Sequence, residues 1–570
     1  MWKPRISISV ATIAIFFLLA GCKPKQENQK PDFSKLTEDF VYGSLALSPT
    51  AATQAGYHEH QGVKLDEKLD DFSPAGIQTA QTFYSDFKTR LAAIDQQTLS
   101  AEDRADYQII QNATDLSLQD LQQIQGYRHN PTTYVELIGN ALFNPYVLEY
   151  APFETRFGHI IQRLTQIPAL LDQAKANLTD APEIWNKVAR EENDGNMDLI
   201  DKTLRAKVPP NRKADFDKAA DAALVSLRSF NAFLKDDLSK KTSDWRLGKE
   251  RYARKFADTL IAGKTPEEVL AEAETALKET RDRMAKLAAP HSIREALDAI
   301  AKQHTTPEHF MEQASKDLDL ATTFVREKHL VTFPSRNNLQ VIPTPEFMRG
   351  TYGVAGFNSA PAFEPQLGAF YWVTPIPSDW PKQRVESKLR EYNRYGMMQI
   401  TIHEAMPGHY VQFEVADSLE PKSRRALRNI YGNVPYIEGW AVYTQQMMSE
   451  EGFMDNSKEL QFAYDKQLLR AIANSILDIR LQTMGMTDQQ ALDLMMNDTF
   501  QEKEEATGKL QRAQLTSCQL PTYFVGLRGW LDAREEFKKR KGAAFVLSSF
   551  HDAALKESAV PLPALRQLLQ

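Results

Sequence analysis

Cysteine is nearly absent from this sequence. Cys22 and Cys518 are the two cysteines in 570 residues, so no disulfide framework exists and packing must supply the stability. A surplus of positive charge is missing too. Lys and Arg number 68 against 75 Asp and Glu, a formal charge of −7. With no basic tail and no sustained basic face, nucleic acid is excluded as an expected partner. Low-complexity tracts and close internal repeats are lacking. The Gly-rich stretch 350–357 has neither the Gly-Lys-Ser/Thr ending nor the strand-to-helix setting of a phosphate loop, which argues against nucleotide binding. What is present is ample core: 42% of residues are hydrophobic and 25% charged, the balance of a globular protein. The length alone suggests about three or four domains.

The first 22 residues, "MWKPRISISVATIAIFFLLAGC", stand apart. Lys3 and Arg5 precede an apolar run from Ile6 to Leu19 that ends in small residues and a cysteine. The run is short for a membrane span and fits an export signal. Leu19-Ala20-Gly21-Cys22 resembles the bacterial lipobox. The resemblance implies that Cys22 is lipidated, becomes the first mature residue and anchors the chain to a membrane. Position 23 is Lys rather than Asp. In a Gram-negative cell that favours the outer membrane, facing the periplasm. An ordinary cleaved signal with an incidental cysteine is the alternative. Residues 23–35 are polar, contain proline and read as a flexible tether. Cys518 reads as a buried apolar residue rather than a nucleophile.

From residue 36 onward the pattern is mostly helical. In "TPEEVLAEAETALKETRDRMAKLAAP", Thr265 suits an N-cap, Pro266 the first helical position and Glu267 and Glu268 the positive helix end. Leu270, Ala273, Leu277, Met284 and Leu287 share one face, and Pro290 closes the segment. Helical stretches are also predicted over about 75–128, 155–240 and 455–500. Two short β-prone runs interrupt them, 337–345 and 368–377, bounded by Pro and Gly. The expected architecture is mainly α, a large helical body around a cleft with a small β element. A seam near 330–345 would divide an N-terminal helical region, 36–335, from a C-terminal catalytic region, 336–570. The run 368–373 is expected either to offer an edge to a peptide backbone or to form a structural hairpin.

"HEAMPGHY" (403–410) raises the question of a metal. Zinc takes nitrogen, oxygen or sulfur ligands in a tetrahedron. Histidines four residues apart on a helix share a face, but a spacing of six turns them about 120° apart. His403 and His409 could share one ion only if the helix deforms between them. Pro407 removes a backbone donor and Gly408 tolerates unusual backbone angles, so a deformation is permitted there. Glu404 would then lie beside the ion, placed to take a proton from water. Glu438, at the start of the helical run "VPYIEGWAVYTQQMM", is a third candidate ligand from a second helix. The alternative reading is a helix C-cap beside a structural carboxylate.

"HEAMPGHYVQ" and "EGWAVY" are similar to the two hallmark blocks of the bacterial domain-of-unknown-function-885 family, regarded as zinc-metallopeptidase-like and related in layout to the gluzincins. "SPTAATQAGYHEHQG" (48–62), "QLPTYFVG" (519–526) and "HDAALKESAVPLPALRQLL" (551–569) resemble further family blocks. The resemblance runs from about residue 36 to the end. It implies His403, His409 and Glu438 as ligands of one zinc ion, Glu404 as general base and a helical fold around a cleft. The chain departs from many relatives at Gln445 and at Pro521-Thr522-Tyr523, which bears on substrate choice or on support of the ligands.

The function expected from this is zinc-dependent hydrolysis of a peptide bond by an exported enzyme. Tyr523 and His551 are candidate donors to the developing oxyanion, with a buried residue satisfied in the core as the alternative for either, and Tyr443 is expected to pack or to support a ligand. "HEH" (58–60) reads as a solvated turn before a surface metal site. Two other functions stay open: a non-catalytic peptide-binding envelope lipoprotein, and an amidase acting on cell-wall peptides.

Overall fold

The structure, a computed structural model, describes residues 32–349 and 352–570. The expected signal peptide, Cys22 and all but the end of the tether lie outside these residues. The first helix, Phe33–Leu47, is capped by the Asp32 side chain, so the last residues assigned to the tether are helical. No helix among the described residues is long and apolar enough to cross a membrane.

The fold is mainly α with small β elements, as the periodicity predicts. The 75–128 stretch folds into helices Pro74–Ala92 and Ala101–Gln119, and the 155–240 stretch into Phe153–Asn177, Glu183–Asp198 and Lys213–Asp236. Helix Pro266–Ala288 begins with the expected Thr265 cap, completed by Glu268 reaching back to the Thr265 amide at 2.8 Å. Residues from both sides of position 335 share one buried core: Met284, Ala321 and Val325 pack in the same cluster as Met398, Ile402, Trp440 and Trp530.

The sheet near the centre has three strands, β1 (Leu339–Pro343), β2 (Ala355–Asn358) and β3 (Ala369–Val373). β3 lies between the other two, parallel to β1 and antiparallel to β2. This corrects the expectation that 368–373 offers an edge. The backbone groups of β3 are shared with both neighbours, and all five of its side chains are buried, as a central strand covered on both faces requires. The edge strands are instead β1 and β2, the second of them inside the Gly- and Ala-rich stretch that gave no strand signal.

Among the helices after the sheet, seven carry the residues around the 403 motif: α1 (Lys382–Glu391), α2 (Arg394–Glu404), α3 (His409–Ala416), α4 (Val434–Glu450), α5 (Lys503–Leu515), α6 (Thr522–Lys541) and α7 (Leu547–Lys556). The segment leading into the 403 motif is two helices, not one. Asn393 ends the first and caps the second, its side chain accepting from the amides of Tyr395 and Gly396. α4 and α6 cross with their backbones in contact at Gly439 and Gly526. A Cβ on Gly439 would lie 2.3 Å from the Gly526 carbonyl carbon, and one on Gly526 would lie 2.2 Å from the Pro435 oxygen.

Candidate metal centre

The helix carrying His403 stops where "AMPG" predicts trouble. α2 ends at Glu404, Ala405 leaves helical geometry, the Met406–Pro407 peptide is cis and α3 starts at His409. The chain folds back tightly at Gly408, whose amide donates to the Ile402 carbonyl at 3.0 Å. A Cβ there would sit 1.9 Å from the His403 oxygen, so glycine is required by the close approach. Trp440 fastens the break from the side: its indole N–H donates to the Pro407 and Gly408 carbonyls at 3.0 and 3.1 Å. The "EGW" triplet thus does two jobs on one helical turn. Trp440 holds the loop between the histidines, and Glu438 meets the histidines themselves.

His403, His409 and Glu438 each bring one donor atom into a group spanning at most 4.8 Å. The imidazole Nε2 atoms of His403 and His409 lie 3.4 and 3.6 Å from Glu438 Oε2, and the two rings stand nearly perpendicular. That oxygen is buried and completes no hydrogen bond. Buried carboxylate oxygens almost always find a donor. Bonds of about 2.0–2.1 Å in a tetrahedron put ligand atoms about 3.3–3.4 Å apart, close to the spacing here. Two imidazoles and a carboxylate at that spacing suit a divalent cation of the zinc type. Burial would raise the Glu438 carboxyl, but the two imidazoles outweigh it and hold the group well below the usual carboxylate range. Burial likewise works against a charged His409, and the carboxylates of Glu438 and Glu404 raise it. The Nδ1 of His409 lies 3.4 Å from the Gln412 amide oxygen, the kind of outer contact that fixes a ligand's tautomer.

Glu404 occupies the last position of α2 and is half-buried. Its charge acts on His409, Tyr352 and Tyr523, which puts its carboxylate at the cluster. Tyr523 lies there too, its ring stacked 6.1 Å from that of His403. Arg512 and Gln519 both donate to the Tyr523 oxygen, at 3.2 and 3.3 Å, leaving its own hydrogen free to be given. Burial, partly offset by the Arg512 charge, pushes the phenol up to about 12.

His551 is not brought to the cluster. It is fully buried, its Nε2 is bonded to the Tyr443 hydroxyl at 2.8 Å and its Nδ1 to the Leu330 carbonyl at 2.6 Å. The Trp440 ring packs against it at 5.3 Å. With both nitrogens spent in the core, it has nothing to offer an oxyanion. Tyr443 packs there with it, against Trp530. Gln445 ties α4 to α2, its amide donating to the Gln399 carbonyl at 2.8 Å.

Sequence reasoning missed two basic residues. Arg512 and Lys509, one turn apart on α5, both feel the charge of Glu438. In "KEEATGKLQRAQL" they look like part of a solvated face, and the repeat of Glu and Lys gives no signal otherwise. His58 is no solvated turn either. Its ring joins Asp66, at 2.9 Å, to Glu364, at 3.2 Å, linking the N-terminal helices to the segment between β2 and β3.

No curated protein matches the chain. Two solved structures share the fold along nearly its whole length. A protein from Shewanella oneidensis, described as a lipoprotein of unknown function, superposes with a TM-score of 0.77 at 28% identity, covering 94% of this chain and 99% of its own. A protein from Colwellia psychrerythraea, also described as a lipoprotein, gives 0.79 at 16% identity over 94% and 98%. The family described as "Bacterial protein of unknown function (DUF885)" matches residues 49–569, and the chain belongs to that family.

Proposed function

We propose that this chain is an exported zinc-dependent peptidase, anchored by lipid at Cys22, in which His403, His409 and Glu438 hold the ion. The observation that carries the reading is the buried, unpartnered Glu438 oxygen set between two imidazole nitrogens at 3.4 and 3.6 Å. Zinc, when bound there, would supply positive charge that polarises a carbonyl and makes water easier to deprotonate.

The remaining steps belong to the chain's own side chains. Glu404 has no hydrogen bond or ion pair among the described residues, so its carboxylate is free to accept a proton. It takes one from water as the water oxygen bonds to the carbonyl carbon. It returns that proton to the nitrogen as the C–N bond breaks. Tyr523 donates its hydroxyl hydrogen to the oxygen that gains negative charge, and Arg512 and Gln519 orient the phenol for it. A protein that only bound peptides would have no use for an uncommitted Glu404. Export with a lipid anchor is supported by the Leu19–Cys22 lipobox-like ending and by the lipoprotein description of the 28% identical neighbour; in a Gram-negative cell, Lys rather than Asp at position 23 favours the outer membrane, facing the periplasm.

Elemental analysis of the wild type and Glu404→Gln, with both assayed on a peptide library, tests the reading. It requires zinc in both and cleavage by the wild type alone. A metal-free wild type that still cleaves peptides would sink it.

A further inference from the structure

Two basic side chains beside the cluster have donors without a partner among the described residues. Lys509 is 6% exposed and makes no hydrogen bond or ion pair there; burial, with the charges of Arg470 and Arg512, pushes its pKa well below the usual lysine range, against the pull of Glu505 and Glu438. The nearby Glu505 is already engaged, by the Arg470 guanidinium and the Tyr392 hydroxyl. Arg512 uses one nitrogen, Nη2, for Gln519 at 3.1 Å and Tyr523 at 3.2 Å. Its Nε and Nη1 have no partner, and the residue is half-buried. An amine buried without a partner gives up its proton readily and regains it beside an arriving anion, and a guanidinium with an open edge fits a planar carboxylate. The two therefore form an anion site waiting for its anion.

Position says which anion. Arg512 touches Tyr523, and Tyr523 stacks on His403, so the two side chains lie within a residue or two of where a carbonyl would be attacked. An extended peptide advances about 3.3–3.6 Å per residue. The negative group that every peptide carries at such a distance from a bond near its end is its own terminal carboxylate. We propose that Lys509 and Arg512 bind the free C-terminal carboxylate of the substrate, which makes the chain a carboxypeptidase that removes one or two residues at a time. This rests on the peptidase reading above and names its substrate class.

Pentapeptide libraries with free C-terminal carboxylates and the same libraries C-terminally amidated provide the test. The zinc-loaded wild type is expected to cleave the free acids at least about tenfold better in kcat/KM, with all cuts next to the C-terminus. Lys509→Met and Arg512→Gln should bring that ratio toward one, and Arg512→Lys should restore part of it. Thermal melts identify any variant that fails to fold, and Lys509→Arg then replaces Lys509→Met, with a retained preference expected. Equal rates on acids and amides, internal cuts, or a preference that follows internal Asp and Glu would each overturn the proposal. If the zinc-loaded wild type cuts neither library, the peptidase reading fails. The subsite is then judged by calorimetry on Glu404→Gln protein: tighter binding of the free acids by about tenfold upholds it, and equal binding overturns it.

Discussion

Arg163 and Glu438 are both charged groups deep inside the molecule, and their surroundings are finished differently. Arg163 is fully buried and gives hydrogen bonds to the carbonyls of Lys68 and Ala141 at 3.0 and 2.8 Å and to the Thr53 hydroxyl at 2.6 Å. Two more carbonyls, of Pro49 and Leu65, stand at 3.3 Å. Around it Asp66 accepts from Thr53 and His58, and Asp70 from Ser48 and the Thr50 amide. At the other pole, Glu438 Oε2, Glu404 and Lys509 have no hydrogen-bond partner among the described residues. Polar burial that is closed on itself fixes how segments distant in sequence meet. Polar burial left open is strained until something arrives. The N-terminal assembly therefore reads as architecture, and the assembly around α2, α4 and α5 as the proposed site.

The comparison can be broken in four places. Glu404→Gln should cut the peptidase rate by about 10²–10⁴-fold while leaving zinc content and melting temperature unchanged, as steady-state kinetics, elemental analysis and calorimetry would record. Arg163→Met should do the reverse. Losing one partner of a closed buried network costs about 3–5 kcal/mol, read as a lower urea midpoint, with metal still bound by the folded fraction. Zinc at a hundredfold excess over its dissociation constant should stabilise the wild type by about 2.7 kcal/mol, and Glu438→Ala should lose that gain in thermal melts. The smallest effect concerns His58. Burial would lower its pKa, but hydrogen bonds to Asp66 and Glu364 raise it from 6.5 to about 9. The folded state thus holds this proton more tightly than the unfolded chain. Its contribution is full below about pH 6.5 and fades as pH rises through about 9. With partial exposure screening the pairs, about 1 kcal/mol is expected to go, and His58→Gln should flatten the stability profile over that window.

Much of this was legible in the residues because it is local. Thr265, Pro266 and Glu268 dictate a helix start by themselves. Pro407 and Gly408 state that a helix cannot run straight from His403 to His409. Glu438 could be singled out because a short block near a helix start is readable without knowing its neighbours. The illegible parts depend on what lies opposite. Nothing in "AFYWV" tells whether a strand is flanked on one side or two, and β2 hides in a stretch chosen for small residues that let backbones approach. His551 sits in a block as distinctive as the one carrying Tyr523, yet only the fold reveals that Tyr443 and Leu330 consume its ring. Arg512 and Lys509 belong to a helix whose charge pattern suggests solvent, yet Lys509 is buried and Arg512 is bonded to Tyr523.

The glycine contact between α4 and α6 bears on motion. Glu438 stands next to Gly439, and Tyr523 one turn before Gly526, so the ligand and the phenol ride on helices that touch backbone to backbone. No side chain lies between them to act as a bearing, and that seam cannot widen or slide without losing its packing. That side of the cluster is held rigid. The other side is held by looser means, a ring contact of 6.3 Å between Phe357 of β2 and His409.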